Sequence, residues 1–111
     1  MKSSRSIPPP APSETEEVLL SVLLPVREEF INLKIIIRTL GSILEYPHEI
    51  LVIYDDPEDS SQQAVNEMTK SYPSVRGILN TRGQGVINAV TYGVEHARGK
   101  YVLLFAADEL G

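Results

Sequence analysis

Carboxylates gather in this sequence wherever an apolar run gives out. Glu28 and Glu29 follow "LLPV", Asp55, Asp56, Glu58 and Asp59 make up most of "DDPED" after "EILVIY", and Asp108 and Glu109 follow "YVLLFAA". Carboxylates at that density are either well solvated or neutralised by a hard cation such as Mg²⁺ or Mn²⁺, which takes oxygen ligands. A cation so placed would hold a diphosphate. Taken singly, each is a helix cap or a solvated loop charge; it is their placement at successive strand ends that joins them. The "DDPED" loop has a second use. Carboxylate oxygens only accept hydrogen bonds, so Asp55 and Asp56 suit the hydroxyls of a ribose or the N–H groups of a base. The plain alternative is a turn held by aspartate side chains, with Asp59 and Ser60 serving as the next helix cap.

A second kind of chemistry is open to "RGQG", Arg82 to Gly85. Glycines just before a helix expose backbone N–H groups at its positive end, which suits a phosphate. No Gly-Lys-Ser/Thr follows, so this is not a nucleotide triphosphate loop of the Walker type, and the third glycine of a dinucleotide fingerprint would fall on Asn88. Two turn glycines are the alternative. His48 and His96 have no partner at metal-ligand spacing, Ser60 and Ser61 have no evident base, and Tyr54 and Tyr92 read as packing residues.

The composition bounds these options. The chain has 111 residues, 42% of them hydrophobic and 23% charged, with a net charge of −5 and no cysteine. One domain with one core is expected. Disulfides, thiolate zinc and thiol nucleophiles are excluded, and an acidic chain is a poor general nucleic-acid binder. "MKSSRSIPPPAPSETEE" has no apolar core of a secretory signal and is expected to be a disordered Pro/Ser/Glu-rich tail over residues 1–17. The most apolar run, Val18 to Val26, contains Pro25 and is far short of the about 20 residues a membrane helix needs. The expected location is cytoplasmic, or peripheral at the cytoplasmic face of a membrane.

The elements that must position the carboxylates can be read from periodicity. "VLLSVLLPV" is a continuous apolar run, as for a strand covered on both faces, and Pro25 is expected to end it. Phe30, Leu33, Ile37, Leu40 and Leu44 form a helical stripe, with Glu28 and Glu29 in its first turn, where the helix dipole favours negative charge. Glu49 to Tyr54 is a second strand. "SSQQAVNEMTKSY" is a polar helix capped by Ser60 or Ser61, with a thin face of Ala64, Val65, Met68 and Tyr72. Val75 to Leu79 is a third strand. "VINAVTYGVEHA" carries a stripe at Val86, Val90, Val94 and Ala97, stopped by Gly99. Tyr101 to Phe105 reads as a buried fourth strand. Strict alternation implies right-handed crossovers and a parallel sheet, a Rossmann-like α/β/α sandwich, with ligands at the carboxyl ends of the strands.

In this order the motifs resemble the N-terminal, nucleotide-sugar-binding half of family 2 glycosyltransferases with the GT-A fold, nearest the polyprenyl-phosphate (dolichol-phosphate) sugar transferase branch. "LLPVREE" stands where that family has a strand ending in Pro-x-x-Asn-Glu, with Glu28 in the asparagine position. "EILVIYDDPEDSS" matches its second strand and Asp-Asp loop. "NTRGQGVINAVTYGVEHARGKYVLLF" supplies Asn80, Gly83, Gly85, Asn88, Ala89, Gly93, Ala97 and Gly99, and "FAADEL" takes the place of its Asp-x-Asp metal motif. The likeness runs over residues 18–111.

The resemblance implies a truncated GT-A fold with a mostly parallel four-stranded sheet. It implies that Pro25, Glu29, Asp55 and Asp56 line a base and ribose pocket, that the Gly83–Gly85 turn lies near the nucleotide, and that Asp108 touches Mg²⁺ or Mn²⁺ and the diphosphate. The donor would be a nucleotide-diphosphate sugar and the acceptor a polyprenyl phosphate or glycan, with inversion at the anomeric carbon. The chain departs from the family in three places. Ala106 replaces the first metal-motif aspartate, Gln84 replaces a frequent basic residue, and the acidic loop is short. The acceptor half and the catalytic base lie beyond the resemblance, so turnover is expected to need them, and a last strand left without a neighbour would be an open edge for a second copy. The alternatives are a non-catalytic nucleotide-binding or interaction module of the same fold, and another doubly wound domain such as a phospho-receiver; the latter lacks a lysine at a strand end.

Overall fold

Seven elements alternate among the described residues: β1 (Leu20–Val26), α1 (Phe30–Ile43), β2 (His48–Tyr54), α2 (Ser61–Met68), β3 (Val75–Leu79), α3 (Val86–His96) and β4 (Tyr101–Leu104). The structure is a computed structural model and describes residues 17–26 and 30–105, the side chains of 30–32 excepted. Residues 1–16 of the N-terminal tail, Glu28, Glu29, Ala106, Asp108 and Glu109 lie outside the described residues.

The four strands form one parallel sheet in the order β3-β2-β1-β4. The apolar runs explain the centre of that order. All of β2 is buried, and Val22, Leu23 and Leu24 of β1 are fully buried, as expected of strands covered on both faces. Successive side chains point to opposite faces. Val22, Leu24 and Val26 of β1 and Ile50, Val52 and Tyr54 of β2 join Leu33, Ile36, Ile37 and Leu40 of α1 and Ala64, Val65 and Met68 of α2 in the main core. Leu23, Leu51 and Ile53 face the other way, against Ala89 of α3. The chain steps outward from β1 to β3, then crosses back over β2 and β1 to place β4 on the far side. With right-handed crossovers, reversing the direction of travel moves the helix to the other face of the sheet, and α3 is found there. The winding therefore switches between β1 and β4, and the carboxyl ends of these strands frame the crevice where such folds bind ligands.

Several expectations are corrected. Pro25 does not end β1; it lies inside the strand, opposite Ile53. Leu19 and Leu23 accept backbone bonds from Tyr101 and Phe105, so residues of this parity turn their backbone groups toward β4. The β1–β4 pairing stops at Leu23 and Leu104, so the N–H that Pro25 lacks falls beyond the last pair and costs no ladder bond.

Helix α3 uses only half of its expected stripe: Val90 and Ala97 pack against the sheet, Val86 and Val94 do not. Val86 and Val94 are 62% and 51% exposed, and the buried residues are Ala89 and Gly93, with Val90 and Ala97 beside them. The reason is close approach. A Cβ on Gly93 would stand 2.5 Å from Ile53 Cδ1 and 3.2 Å from two Leu23 methyls, so the small residues are where the helix meets the sheet. Gly99 does not act as a left-handed helix stop. The helix ends at His96 with Ala97 extended, and Gly99 is needed because a Cβ there would lie 2.6 Å from the backbone nitrogen of Ser21. Nor is β4 buried: Tyr101, Val102, Leu103 and Leu104 are all exposed, because the strand is at the sheet edge and α3 packs on β1 and β2 instead. Finally, α2 ends at Met68, short of Tyr72, and although Ser60 stands at its cap position as expected, the side chain that caps is that of Asp59. Asp59 Oδ1 accepts the Ser61 N–H at 2.8 Å, while the hydroxyl of Ser60, at the cap position, makes no capping bond.

Candidate functional site

The carboxyl ends of β2 and β3 are joined by a closed set of hydrogen bonds. Asp55 is the first residue past β2, and Asn80 the first past β3; the Asn80 N–H donates to the Tyr54 carbonyl at 2.8 Å and so extends the strand pairing by one step. The Asn80 side chain then turns inward and is almost fully buried. Its amide nitrogen donates to Asp55 Oδ1 at 2.8 Å and to the Gly83 carbonyl at 2.7 Å, and its oxygen accepts the Arg82 N–H at 2.9 Å. Two acceptors on one side and an N–H on the other fix which way the amide points. The second oxygen of Asp55 accepts the Gly85 N–H at 3.1 Å.

The turn so held needs its glycines. Gly83 and Gly85 have φ of 117° and 114°, values that side-chain-bearing residues rarely adopt. Gly85 is the N-cap of α3 and has no side chain to offer the helix. Asp55 supplies the missing negative charge from across the sheet, where the helix dipole favours it. The Gly85 N–H is therefore already committed to a carboxylate. Arg82, on the same turn, pairs with Glu95 of α3 at 3.0 Å.

The rest of the acidic loop divides its work. Asp56 is exposed; its Oδ1 accepts the Glu58 N–H at 2.9 Å and its carbonyl accepts the Asp59 N–H at 2.9 Å, an aspartate turn that presents the carboxylate outward. Asp59 is buried and its carboxylate caps the start of α2 from the residue before the N-cap. The neighbouring Tyr54 is buried against Gly77 and Val65, and burial, together with the charge of Asp59, raises its hydroxyl pKa above the usual 10.0. Tyr54 is thus a packing residue beneath the loop. Pro25 is partly exposed near the end of β1, on the α3 face of the sheet. Glu29 and Asp108 lie outside the described residues. Among the described residues no three His, Asp or Glu side chains converge as a metal site.

The histidines are placed away from this edge. His48 opens β2 at its opposite end, buried, with Nδ1 bonded to the Tyr46 carbonyl at 2.9 Å and Nε2 to the Ser74 hydroxyl at 3.2 Å. The carbonyl can only accept, so Nδ1 carries the proton there. His96 stacks on Tyr92 at the exposed end of α3. A polar cluster that no sequence pattern announced lies at the same amino edge. Glu49, 3% exposed, accepts bonds from the Ser21 hydroxyl at 2.7 Å, the Arg98 N–H at 2.6 Å and Arg76 Nη2 at 3.3 Å, and the Gly99 N–H donates to Ser21 Oγ at 2.8 Å. It ties the α3–β4 connection to the sheet, far from the carboxyl ends. Asn80 was visible as a motif residue, but its part in holding Asp55 was not, because the two are far apart in sequence.

Known proteins share this arrangement of elements. The sequence model of the family described as "Glycosyl transferase family 2" matches residues 21–110. Dolichol-phosphate mannosyltransferase of Pyrococcus furiosus is 30% identical over 90 residues, which is 80% of this chain and 25% of that protein. Dolichyl-phosphate beta-glucosyltransferase of Dictyostelium discoideum is 29% identical over 103 residues, 84% of this chain and 32% of that one. The solved structure of mannosyltransferase PcManGT from Pyrobaculum calidifontis, in complex with GDP-Man and Mn²⁺, superposes with a TM-score of 0.64 at 22% identity, over 91% of this chain and 30% of that one. The fold is therefore that of a GT-A glycosyltransferase, and the chain spans about a quarter to a third of the length of these relatives. Among the described residues no helix is long and apolar enough to cross a membrane.

Proposed function

This chain belongs to glycosyltransferase family 2, and we propose that it forms the donor-binding part of such an enzyme, taking a nucleotide-diphosphate sugar at the carboxyl ends of its strands. The observation that carries this reading is the pair Asp55–Asp56 at the end of β2, the strand next to β1 and one strand from the point where the winding of the sheet reverses, with Asp56 held outward by its own turn. In this reading Asp55, Asp56, Pro25 and Glu29 line the base and ribose pocket, and the Gly83–Gly85 turn borders the nucleotide. Asp108 contacts a divalent cation, Mg²⁺ or Mn²⁺, whose charge offsets that of the leaving diphosphate. PcManGT, which holds GDP-Man and Mn²⁺, supports the donor class and the cation. The names of the two dolichol-linked relatives support a polyprenyl-phosphate acceptor. Transfer would invert the anomeric centre, at the cytoplasmic face of a membrane. A second copy is proposed to meet the first along β4, whose outer edge and apolar residues are exposed.

The test is thermal. GDP-mannose or UDP-glucose with Mn²⁺ is expected to raise the melting temperature, and Asp56→Ala to remove the rise; no shift with either donor refutes the reading. A second reading, a nucleotide-binding module without turnover, is favoured by Ala106 in the place of the first metal-motif aspartate. The two part on the metal. If Asp108 holds it, Asp108→Asn abolishes the Mn²⁺ dependence of binding with the fold intact; nucleotide binding that never depended on Mn²⁺ favours the module.

A further inference from the structure

We propose that Asn80 is a positioning residue of the donor site, which through Asp55 holds the β3–α3 turn in the one arrangement that accepts a nucleotide. The proposal rests on the donor reading above and assigns unequal roles within it. Both oxygens of Asp55 are engaged by the protein, Oδ1 by Asn80 and Oδ2 by the Gly85 N–H. Asp56 is the exposed member of the pair and spends only Oδ1 on its turn. Each Asp55 oxygen could still accept a second bond, but the residue is half-buried and held at both oxygens, whereas Asp56 is exposed; Asp56 is thus assigned the first contact with the ligand and Asp55 the bracing of the pocket wall.

The brace needs an asparagine. The turn from Asn80 to Gly85 contains two glycines at positive φ, and glycine backbones are permissive, so the conformation must be selected by bonds. Asn80 supplies three from one side chain: to Asp55 Oδ1, to the Gly83 carbonyl and from the Arg82 N–H. Only an amide carries two N–H donors and a carbonyl acceptor on the same carbon. Aspartate would set a second carboxylate against Asp55, glutamine would reach a methylene too far, and serine would keep a single donor. The Asn80 side chain is almost fully buried, so water does not replace these bonds readily, and losing them leaves Asp55 and the Gly83 carbonyl short of a donor. The same ring of bonds couples the start of α3 to the end of β2, because its last link is the N-cap residue Gly85.

The experiment is a double-mutant cycle on the full chain. Affinity for GDP-mannose and for UDP-glucose, each with Mn²⁺, is measured for wild type, Asn80→Ala, Asp55→Ala and the double variant, with amide hydrogen exchange followed at Gly85 and, as a control for the fold, at Val52 in β2. Each single change is expected to weaken binding about tenfold, the worth of one lost hydrogen bond to a charged group. The double is expected to be no weaker than the worse single by more than about twofold, since both break one ring. Gly85 exchange is expected to speed up in Asn80→Ala while Val52 stays protected, a local effect that general destabilisation would not give. Losses that multiply to about a hundredfold in the double, or unchanged Gly85 exchange in a folded Asn80→Ala, overturn the proposal. If Asn80→Ala does not fold, Asn80→Ser is read in its place. Wild-type chain that binds neither donor refutes the donor reading and the proposal with it; wild-type binding that Asn80→Ala leaves unchanged refutes the positioning role alone.

Discussion

The contact between α3 and the sheet makes a prediction that runs against helix propensity. Gly93 lies inside α3, and replacing glycine by alanine within a helix ordinarily stabilises it by about 1 kcal/mol. Here the added Cβ would meet Ile53 Cδ1 at 2.5 Å and Leu23 Cδ1 and Cδ2 at 3.2 Å. Leu23 and Ile53 are 0% and 1% exposed, so neither can swing into solvent to make room. Overpacking of this kind costs about 1–3 kcal/mol, so Gly93→Ala is expected to lose about 1 kcal/mol net after the propensity gain. The atom hit hardest is the δ-methyl of Ile53, which valine lacks. Ile53→Val alone is expected to cost about 1 kcal/mol through the lost methyl and its cavity. Together the changes should compensate, because the new Cβ enters the space the δ-methyl vacates. The double variant should lie within about 0.5 kcal/mol of wild type, a coupling of more than about 1 kcal/mol. Urea denaturation of the four proteins, with unchanged m-values, measures this. A Gly93→Ala protein more stable than wild type, or a double variant showing the simple sum of the two losses, would show that α3 does not approach the sheet at Gly93.

Gly99→Ala should be the harsher substitution. Its Cβ would meet a backbone nitrogen, Ser21 N at 2.6 Å, and not the end of a flexible side chain, so a loss of about 2–3 kcal/mol is expected in the same assay; a change under about 0.5 kcal/mol would refute the close approach of the α3–β4 connection to β1. Tyr54 gives a pH prediction. Burial first, and then the charge of Asp59, raises its folded-state pKa above 10.0, which favours the neutral phenol. Its contribution to stability is then fully present below the unfolded-state value and is lost as pH rises through the folded-state one. The melting temperature should fall above pH 10 more steeply in wild type than in Tyr54→Phe; identical alkaline profiles would refute the assignment.

Much of this protein is determined by short-range pattern. The runs that became β1 and β2 are apolar throughout because both faces of a central parallel strand are covered, and composition alone carries that signal. The stripe of α1 holds for Leu33, Ile37, Leu40 and Leu44, and β3 occupies the residues its pattern indicates. Alternation of strands and helices is enough to imply a parallel sheet and to send attention to the loops after the strands, where Asp55, Asp56, Asn80, Gly83 and Gly85 stand.

Tertiary structure decided what periodicity is blind to. Hydrophobic spacing picked out Val90 and Ala97 of α3, which do pack on the sheet, but also Val86 and Val94, which do not; the distance between helix and sheet is set by the bulk of Leu23 and Ile53 beneath, and the small Ala89 and Gly93 fit over them. The exposure of β4 follows from strand order, β3-β2-β1-β4, which leaves it at an edge whatever its own residues prefer. Pro25 is tolerated inside a strand because register turns its missing N–H past the end of β4. The surroundings of Asp55 and Asp56, adjacent and chemically identical, differ through partners far along the chain: Asn80 and Gly85 each bond one oxygen of the first, and the second is left facing outward. A residue's type is local, but which of its bonds are already spent depends on what folding brings beside it.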